Sequence, residues 1–164
     1  KCCKTTMVTR TLADNSLAEA VENRLKTYIS DSNEARRSII AAYIFGSALH
    51  PEKFKSNSDI DLAFLLDRTL YKQDPLINSA PAYMAAAEIG MLLERQTDVI
   101  ILNSASIETA YQAVTTGLLV YEADRENRLE YEAVLRGMYF DFRPFLEQLR
   151  AKSMLRFDSS KSET

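Results

Sequence analysis

Two aspartates one residue apart, Asp59 and Asp61, stand at the start of the apolar run DIDLAFLL. Side chains alternate between the two faces of a β-strand, so both carboxylates should share one face while Ile60 and Leu62 occupy the other. Carboxylates this close repel each other unless a cation lies between them, and Mg²⁺ prefers hard oxygen ligands. The pair therefore favours a magnesium site, although alone it also fits a strand edge that emerges into solvent.

Two further features could complete such a site. Gly46 and Ser47 directly follow another apolar run, where a glycine lets the backbone approach a ligand closely and successive amide groups can hold an anion. Asp98 opens a third apolar run, DVIIL, and by itself would be an ordinary residue at the start of a strand. Taken together, the three features predict a site for a metal-bound triphosphate.

Apolar runs of strand length predict the elements that carry these residues. The predicted strands are 38–45, 59–66, 98–102 and a short edge strand at 118–123. Helical patterns cover 16–29 with Ser16 and Glu19 as a capping box, 80–96 opened by Ser79, 107–116 between Ser106 and Gly117, and 124–143 with a possible continuation to 157. The segment 31–37 is predicted as a polar connection, and Pro144 is expected to kink or end the last helix.

This order of elements predicts an α/β fold, a small mixed β-sheet flanked by helices. The loop between the first two strands is short, which favours an antiparallel pair, because a parallel pair needs a longer crossover. We expect one domain over residues 1–156, with a flexible segment at 1–12 and a disordered tail at 157–164.

Composition narrows the classes of function. The 164 residues carry a formal net charge of −3 with a pI of about 5.3, which argues against a general nucleic-acid binder. No apolar run approaches the roughly 18 residues of a transmembrane helix, and the N-terminus lacks the apolar centre of a signal peptide. The only cysteines are the adjacent Cys2 and Cys3. We therefore expect a cytoplasmic protein with no membrane partner and no direct nucleic-acid partner.

The pattern GS…DID…D resembles the nucleotidyltransferase motif of the DNA polymerase β superfamily. The layout YIFGS…NSDIDLAFLL…TDVIIL is similar to the minimal nucleotidyltransferase (MNT) branch of that superfamily. This resemblance implies the polymerase β-like nucleotidyltransferase fold with a long C-terminal helix. Two details differ from the family pattern: the loop 48–58 is one residue longer, and Ala48 stands where a basic or aromatic residue is common.

The resemblance also implies a mechanism. Asp59 and Asp61 would bind two Mg²⁺ ions, and Asp98 would complete the catalytic metal site and accept the proton of the attacking hydroxyl. Gly46 and Ser47 would hold the phosphates of ATP, the donor that the family implies.

Members of the MNT branch are usually encoded beside a HEPN-type protein. The resemblance therefore implies an antitoxin that transfers AMP from ATP to a tyrosine of a cognate HEPN-type ribonuclease toxin and silences it. Two alternatives stay open: a nucleotidyltransferase that modifies a small molecule such as an antibiotic, and a non-catalytic antitoxin that blocks its toxin by binding.

Two more features have alternative interpretations. The last helix carries an apolar stripe that either covers the sheet or docks a partner or a second copy of the chain; it consists of Tyr131, Leu135, Met138, Phe142, Phe145 and Leu149. His50, Lys53 and Lys55 lie in the loop beside the site, where they either contact the nucleotide or are ordinary solvated residues.

Overall fold

The computed structural model describes the backbone of residues 12–50 and 58–159 and the side chains of residues 17–50 and 58–150. Its strands are β1 (Ile39–Phe45), β2 (Ile60–Leu66), β3 (Thr97–Ile101) and β4 (Leu118–Glu122). Its helices are α1 (Leu12–Asp31), α2 (Asn33–Ser38), α3 (Arg68–Gln73), α4 (Pro75–Leu93), α5 (Ile107–Thr116) and α6 (Arg125–Ser159), with a 3-10 turn at Gly46–Leu49 after β1.

The four strands form one mixed sheet in the order β3-β2-β1-β4. β1 is antiparallel to both β2 and β4, whereas β2 and β3 are parallel and are joined by the crossover that contains α4. The predicted fold class, the four strands and the antiparallel first pair are therefore confirmed. β4 lies at an edge, as predicted.

Alternation along the strands divides the core into two layers. Ile60, Leu62 and Phe64 point to one side and pack with helices α1 and α4. Ala63 and Leu65 point to the other side, where α5 and the first part of α6 cover the sheet. Asp61 belongs to this second set by alternation, so the carboxylates lie on the side of the sheet that carries α5 and α6.

Two predicted helix starts are wrong. α1 begins at Leu12, four residues before the proposed cap Ser16, because residues 12–15 contain no glycine or proline to stop it. α4 begins after Asp74, whose side chain accepts a hydrogen bond from the backbone of Ile77, and not at Ser79. Asp74 followed by a proline at the first helical position is the stronger start signal.

Three further differences concern connections. The polar segment 31–37 contains α2, which Ser32 caps by accepting from the amide of Ala35, and α3 is a helix that the sequence analysis did not predict. α6 does not end at Pro144. That proline has no N–H to donate to the carbonyl of Phe140, but Phe140 is exposed, so water can hydrate this part of the helix.

The limits of the predicted domain stay a prediction. α6 runs to Ser159, three residues into the segment predicted as a tail, and residues 160–164 lie outside the described part of the chain. Residues 1–11 of the segment predicted as flexible also lie outside it.

Helix α4 is long and apolar enough to cross a membrane by length and composition alone, although no run of that kind was expected. This is weak support for a membrane span, because the core helix of a soluble protein passes the same test. α4 packs against the sheet and buries six residues: Ser79, Pro81, Ala82, Ala85, Ala86 and Ile89.

Candidate functional site

The centre of the candidate site is Asp61, which lies between two neighbouring strands. In the sheet it is paired with Phe45 of β1 on one side and with Asp98 of β3 on the other. Asp61 is half-buried, whereas Asp98 is exposed. Asp59 is also exposed and lies one residue before β2. The sheet thus brings together the end of β1 and the starts of β2 and β3, which carry all five predicted site residues.

Gly46 lies in the turn after β1, where the backbone runs directly past the side chain of Asp61. Its φ is +72°, in the left-handed region that favours glycine. A Cβ at this position would lie 2.1 Å from Oδ2 of Asp61 and 3.0 Å from its Cγ, which no real contact allows. The backbone amide of Ser47 donates a hydrogen bond to the same carboxylate. The Gly46–Ser47 turn therefore fits directly against Asp61 and orients its side chain.

The electrostatics of Asp61 differ from those of a carboxylate in water. Burial raises its pKa above the ordinary aspartate value, and the negative charge of Asp98 raises it further. The Ser47 amide acts in the opposite direction, and Asp59 adds a smaller increase. A cation beside Asp61 would relieve both the burial and the repulsion, so proton and cation compete for this carboxylate.

The donor set fits a hard divalent cation. Among the side chains that the structure describes, no three histidine, cysteine or acidic groups lie close enough together to form a closed metal site. Mg²⁺ does not need such a cage, because it is usually bound by one or two carboxylates together with waters and substrate phosphates. The coupled Asp61–Asp98 pair, with Asp59 nearby, has the oxygen chemistry and the unrelieved repulsion that such an ion would satisfy.

Arg95 is a residue of this region that the sequence analysis missed. Its guanidinium donates to the carbonyl of Ser58 at 3.0 Å, directly before Asp59. The amide of Ile60 in turn donates to the carbonyl of Gln96 at 2.9 Å. The segment between α4 and β3 therefore holds the residues that flank Asp59 from both sides. A possible sequence signal was an arginine three residues before the aspartate that opens a strand.

A buried polar network fixes α6 on the side of the sheet that carries the site. Glu132 is 6% exposed and accepts from the hydroxyl of Tyr43 at 2.7 Å and from Arg128 at 2.6 Å. Arg136 adds a contact of 3.2 Å, and Arg128 also pairs with Glu122 at the end of β4. Burial and the Glu132 hydrogen bond raise the pKa of Tyr43 well above its ordinary range. This network joins α6 to β1 and β4.

Of the other residues singled out in the sequence, the structure describes His50 and the stripe of α6. His50 is exposed at the end of the 3-10 turn, where its amide donates to the carbonyl of Ser47. Lys53 and Lys55 lie outside the described residues. The apolar stripe of α6 divides in two: Leu135 is buried under the helix, whereas Met138, Phe142, Phe145 and Leu149 expose between 41% and 50% of their surface.

Comparison with known proteins shows the family to which the chain belongs. The family model described as polymerase β, nucleotidyltransferase, matches residues 23–126, which is more than half of the chain. This range contains the 3-10 turn and strands β1 to β4. A comparison with curated proteins gives no significant match.

Several solved structures share the fold. A toxin–antitoxin structure with AMP-PNP is 22% identical, with a TM-score of 0.58, and the match covers 81% of this chain and 98% of that one. A tri-AMPylated Shewanella oneidensis HEPN toxin in complex with MNT antitoxin matches at 20% identity and a TM-score of 0.56, covering 84% and 98%. The toxin–antitoxin MntA–HepT matches at 21% identity and a TM-score of 0.55, covering 83% and 98%.

Proposed function

This chain belongs to the polymerase β nucleotidyltransferase family, and from that premise we propose that it is an antitoxin which transfers AMP from ATP to a tyrosine hydroxyl of a HEPN-type ribonuclease toxin and so neutralises it. The observation that carries the proposal is the pairing of Asp61 with Asp98 beside the Gly46–Ser47 turn. The similarity to toxin–antitoxin complexes, one with an ATP analogue and one with an AMPylated toxin, supports the choice of donor and acceptor.

In this proposal Asp59, Asp61 and Asp98 would hold two Mg²⁺ ions, and the charges of both Asp98 and Asp59 act on Asp61. When bound, these ions neutralise the triphosphate and lower the pKa of the attacking hydroxyl. Gly46 and Ser47 orient Asp61 and hold the phosphates. The exposed position of Asp98 leaves its carboxylate accessible to an incoming acceptor.

The reaction forms one bond and breaks one. The tyrosine oxygen bonds to the α-phosphorus of ATP, the bond from that phosphorus to the bridging oxygen breaks, and pyrophosphate leaves with the electron pair. The proton of the tyrosine hydroxyl passes to Asp98, which acts as the general base. Because ATP is the donor, we also propose that the protein acts in the cytoplasm.

We propose that the exposed part of the α6 stripe contacts the toxin. Beyond Leu135 this helix presents Met138, Phe142 and Phe145 to solvent, and each of them exposes two-fifths or more of its surface. An amphipathic helix with such a face is a common recognition element for a protein partner. Phe142→Lys should weaken capture of the toxin and cost the antitoxin only about 1 kcal/mol of stability through the lost ring contact with Phe145.

The proposal is tested by mass spectrometry of the HEPN partner after incubation with this protein, ATP and Mg²⁺. We expect a mass increase of one or more AMP units on a tyrosine, lost with Asp59→Asn and with Asp61→Asn. Asp31→Asn, at an exposed carboxylate at the end of α1, serves as the matched control and should keep full activity.

Other outcomes would replace the proposal. Neutralisation of the toxin without adducts would favour a non-catalytic antitoxin. Persistence of transfer in both site variants would show that the carboxylates are wrongly assigned. AMP transfer to a small molecule but not to the HEPN protein would favour an enzyme that modifies small molecules.

A further inference from the structure

The outer face of helix α4 is apolar, and no part of the chain that the structure describes covers it. Six large apolar side chains on this helix expose between 51% and 81% of their surface: Leu76, Ile77, Tyr83, Met84, Met91 and Leu92. The one charged residue of α4 is Glu88, which pairs with Arg24 of α1 at 2.6 Å. The outer face therefore carries no charge, which is unusual for a helix that faces water.

The outer face also has a regular spacing. Ile77, Ala80, Met84, Ala87 and Met91 follow one another at intervals of three, four, three and four residues. This is the heptad spacing of a helix that packs against another helix, with large side chains alternating with alanines that provide space for them. Other residues of α4, on its opposite face, pack against the sheet. The residues of the outer stripe are therefore not part of the core.

The exposed area has the size of a stable dimer contact. With about 200 Å² of surface for each large residue, the six together expose roughly 800 Å², as much as one side of a specific interface buries. Ile77, Met84 and Met91, the large residues of the regularly spaced stripe, carry about half of this area. A single uncovered apolar patch on a monomer rarely exceeds about 600 Å².

We infer that this face pairs with α4 of a second copy of the chain, antiparallel and with the two-fold axis near Met84. An identical stripe is complementary to itself, and an uncharged seam buries no unpaired charge.

A shallow groove at the end of α4 fits the same arrangement. It has a volume of about 620 Å³; Ala87, Gly90, Met91 and Thr97 line one part of it, and Glu94, Arg95 and Gln96 form its polar rim. In an antiparallel pair centred on Met84, Ile77 of the second copy faces Met91 and enters this groove. The groove therefore receives the side chain of Ile77 from the second copy of the same chain.

The pairing leaves both catalytic sites open. α4 packs on the side of the sheet to which Ile60 and Leu62 point, whereas Asp61 lies on the opposite side. A dimer through α4 therefore directs its two sites away from each other, and each can receive an acceptor. This inference does not depend on which acceptor the site uses.

Disulfide trapping tests the arrangement without disturbing it. Met84→Cys, in a chain in which Cys2 and Cys3 are replaced by serine, should form a covalent dimer under mild oxidation at micromolar concentration. Met138→Cys, at a methionine of similar exposure on α6, is the matched control and should stay a monomer on a denaturing gel. Equal trapping at both positions would show random collisions and overturn the inference.

Sedimentation velocity supplies the second measurement. The wild-type chain should sediment as a dimer, and Met84→Lys as a monomer that is still folded, whereas Met138→Lys should stay a dimer. A wild-type chain that is monomeric at micromolar concentration overturns the inference. So does a Met84→Lys variant whose only defect is lost binding of the HEPN partner or of phospholipid vesicles, because α4 would then serve that partner or a membrane.

Discussion

Replacing Gly46 by alanine should damage the site far more than the fold. The new Cβ would lie 2.1 Å from Oδ2 of Asp61, so the carboxylate must rotate out of its position. The φ of +72° adds a backbone cost of roughly 1–2 kcal/mol for a residue with a side chain. The smaller entropy of the unfolded alanine variant offsets about 0.4–1 kcal/mol of this cost. We therefore expect a net loss of about 1 kcal/mol in the free energy of unfolding.

The effect on AMP transfer should be larger, because a catalytic group displaced by about 1 Å can lose roughly 100-fold in rate. Urea unfolding measures the first quantity, and single-turnover release of pyrophosphate measures the second. Gly137→Ala is the matched control: its Cβ meets nothing within 4 Å, and on a helix it should stabilise by about 0.5–1 kcal/mol. A Gly46→Ala variant that transfers AMP at the wild-type rate would refute the role given to this turn.

Three further variants test other parts of the structure. Glu132→Ala should cost about 3 kcal/mol in urea unfolding because it leaves Arg128 without its buried partner, whereas Glu147→Ala, in an exposed pair, should change stability by less than about 1 kcal/mol. Arg95→Ala should lower kcat with little change in KM for ATP, since its bond to the carbonyl of Ser58 supports the residue directly before Asp59, and Arg95→Lys should restore part of the rate. Burial raises the pKa of Tyr131 to about 12, so the folded chain keeps its proton where the unfolded chain loses it. The free energy of unfolding should therefore fall as the pH rises from about 10 to about 12, and Tyr131→Phe should reduce this fall.

Strands were the most predictable part of this fold, since each is a short apolar run with a clear boundary. Helix starts were less predictable because several polar residues compete as caps. Ser79 with Pro81 resembles a start, yet Asp74 with Pro75 provides it, and only the position of the proline directly after Asp74 favours the second signal. The exposure of α6 beyond Leu135 depends on how far the sheet extends beneath it, which is a tertiary property.

In the site, too, part of the arrangement follows from the local sequence and part depends on tertiary structure. Two aspartates on one face follow from strand alternation, but the pairing of Asp61 with Asp98 follows from a parallel register between strands that α3 and α4 separate. The contact between Gly46 and Asp61 and the support from Arg95 require knowledge of the sheet order. Spacing along the chain therefore predicted which residues to consider, whereas the long-range register determines which of them meet.

That register has a consequence for the newly synthesised chain. Asp61 and Asp98 meet only after the chain between β2 and β3 has folded back across one side of the sheet, and closing such a long loop costs entropy before its contacts are made. The parallel pair is thus expected to be a late event in folding, and β3 is an edge strand that can open first when the sheet is strained. A chain still emerging from the ribosome, or one clipped by a protease near β3, would keep most of its helices and lack a working site.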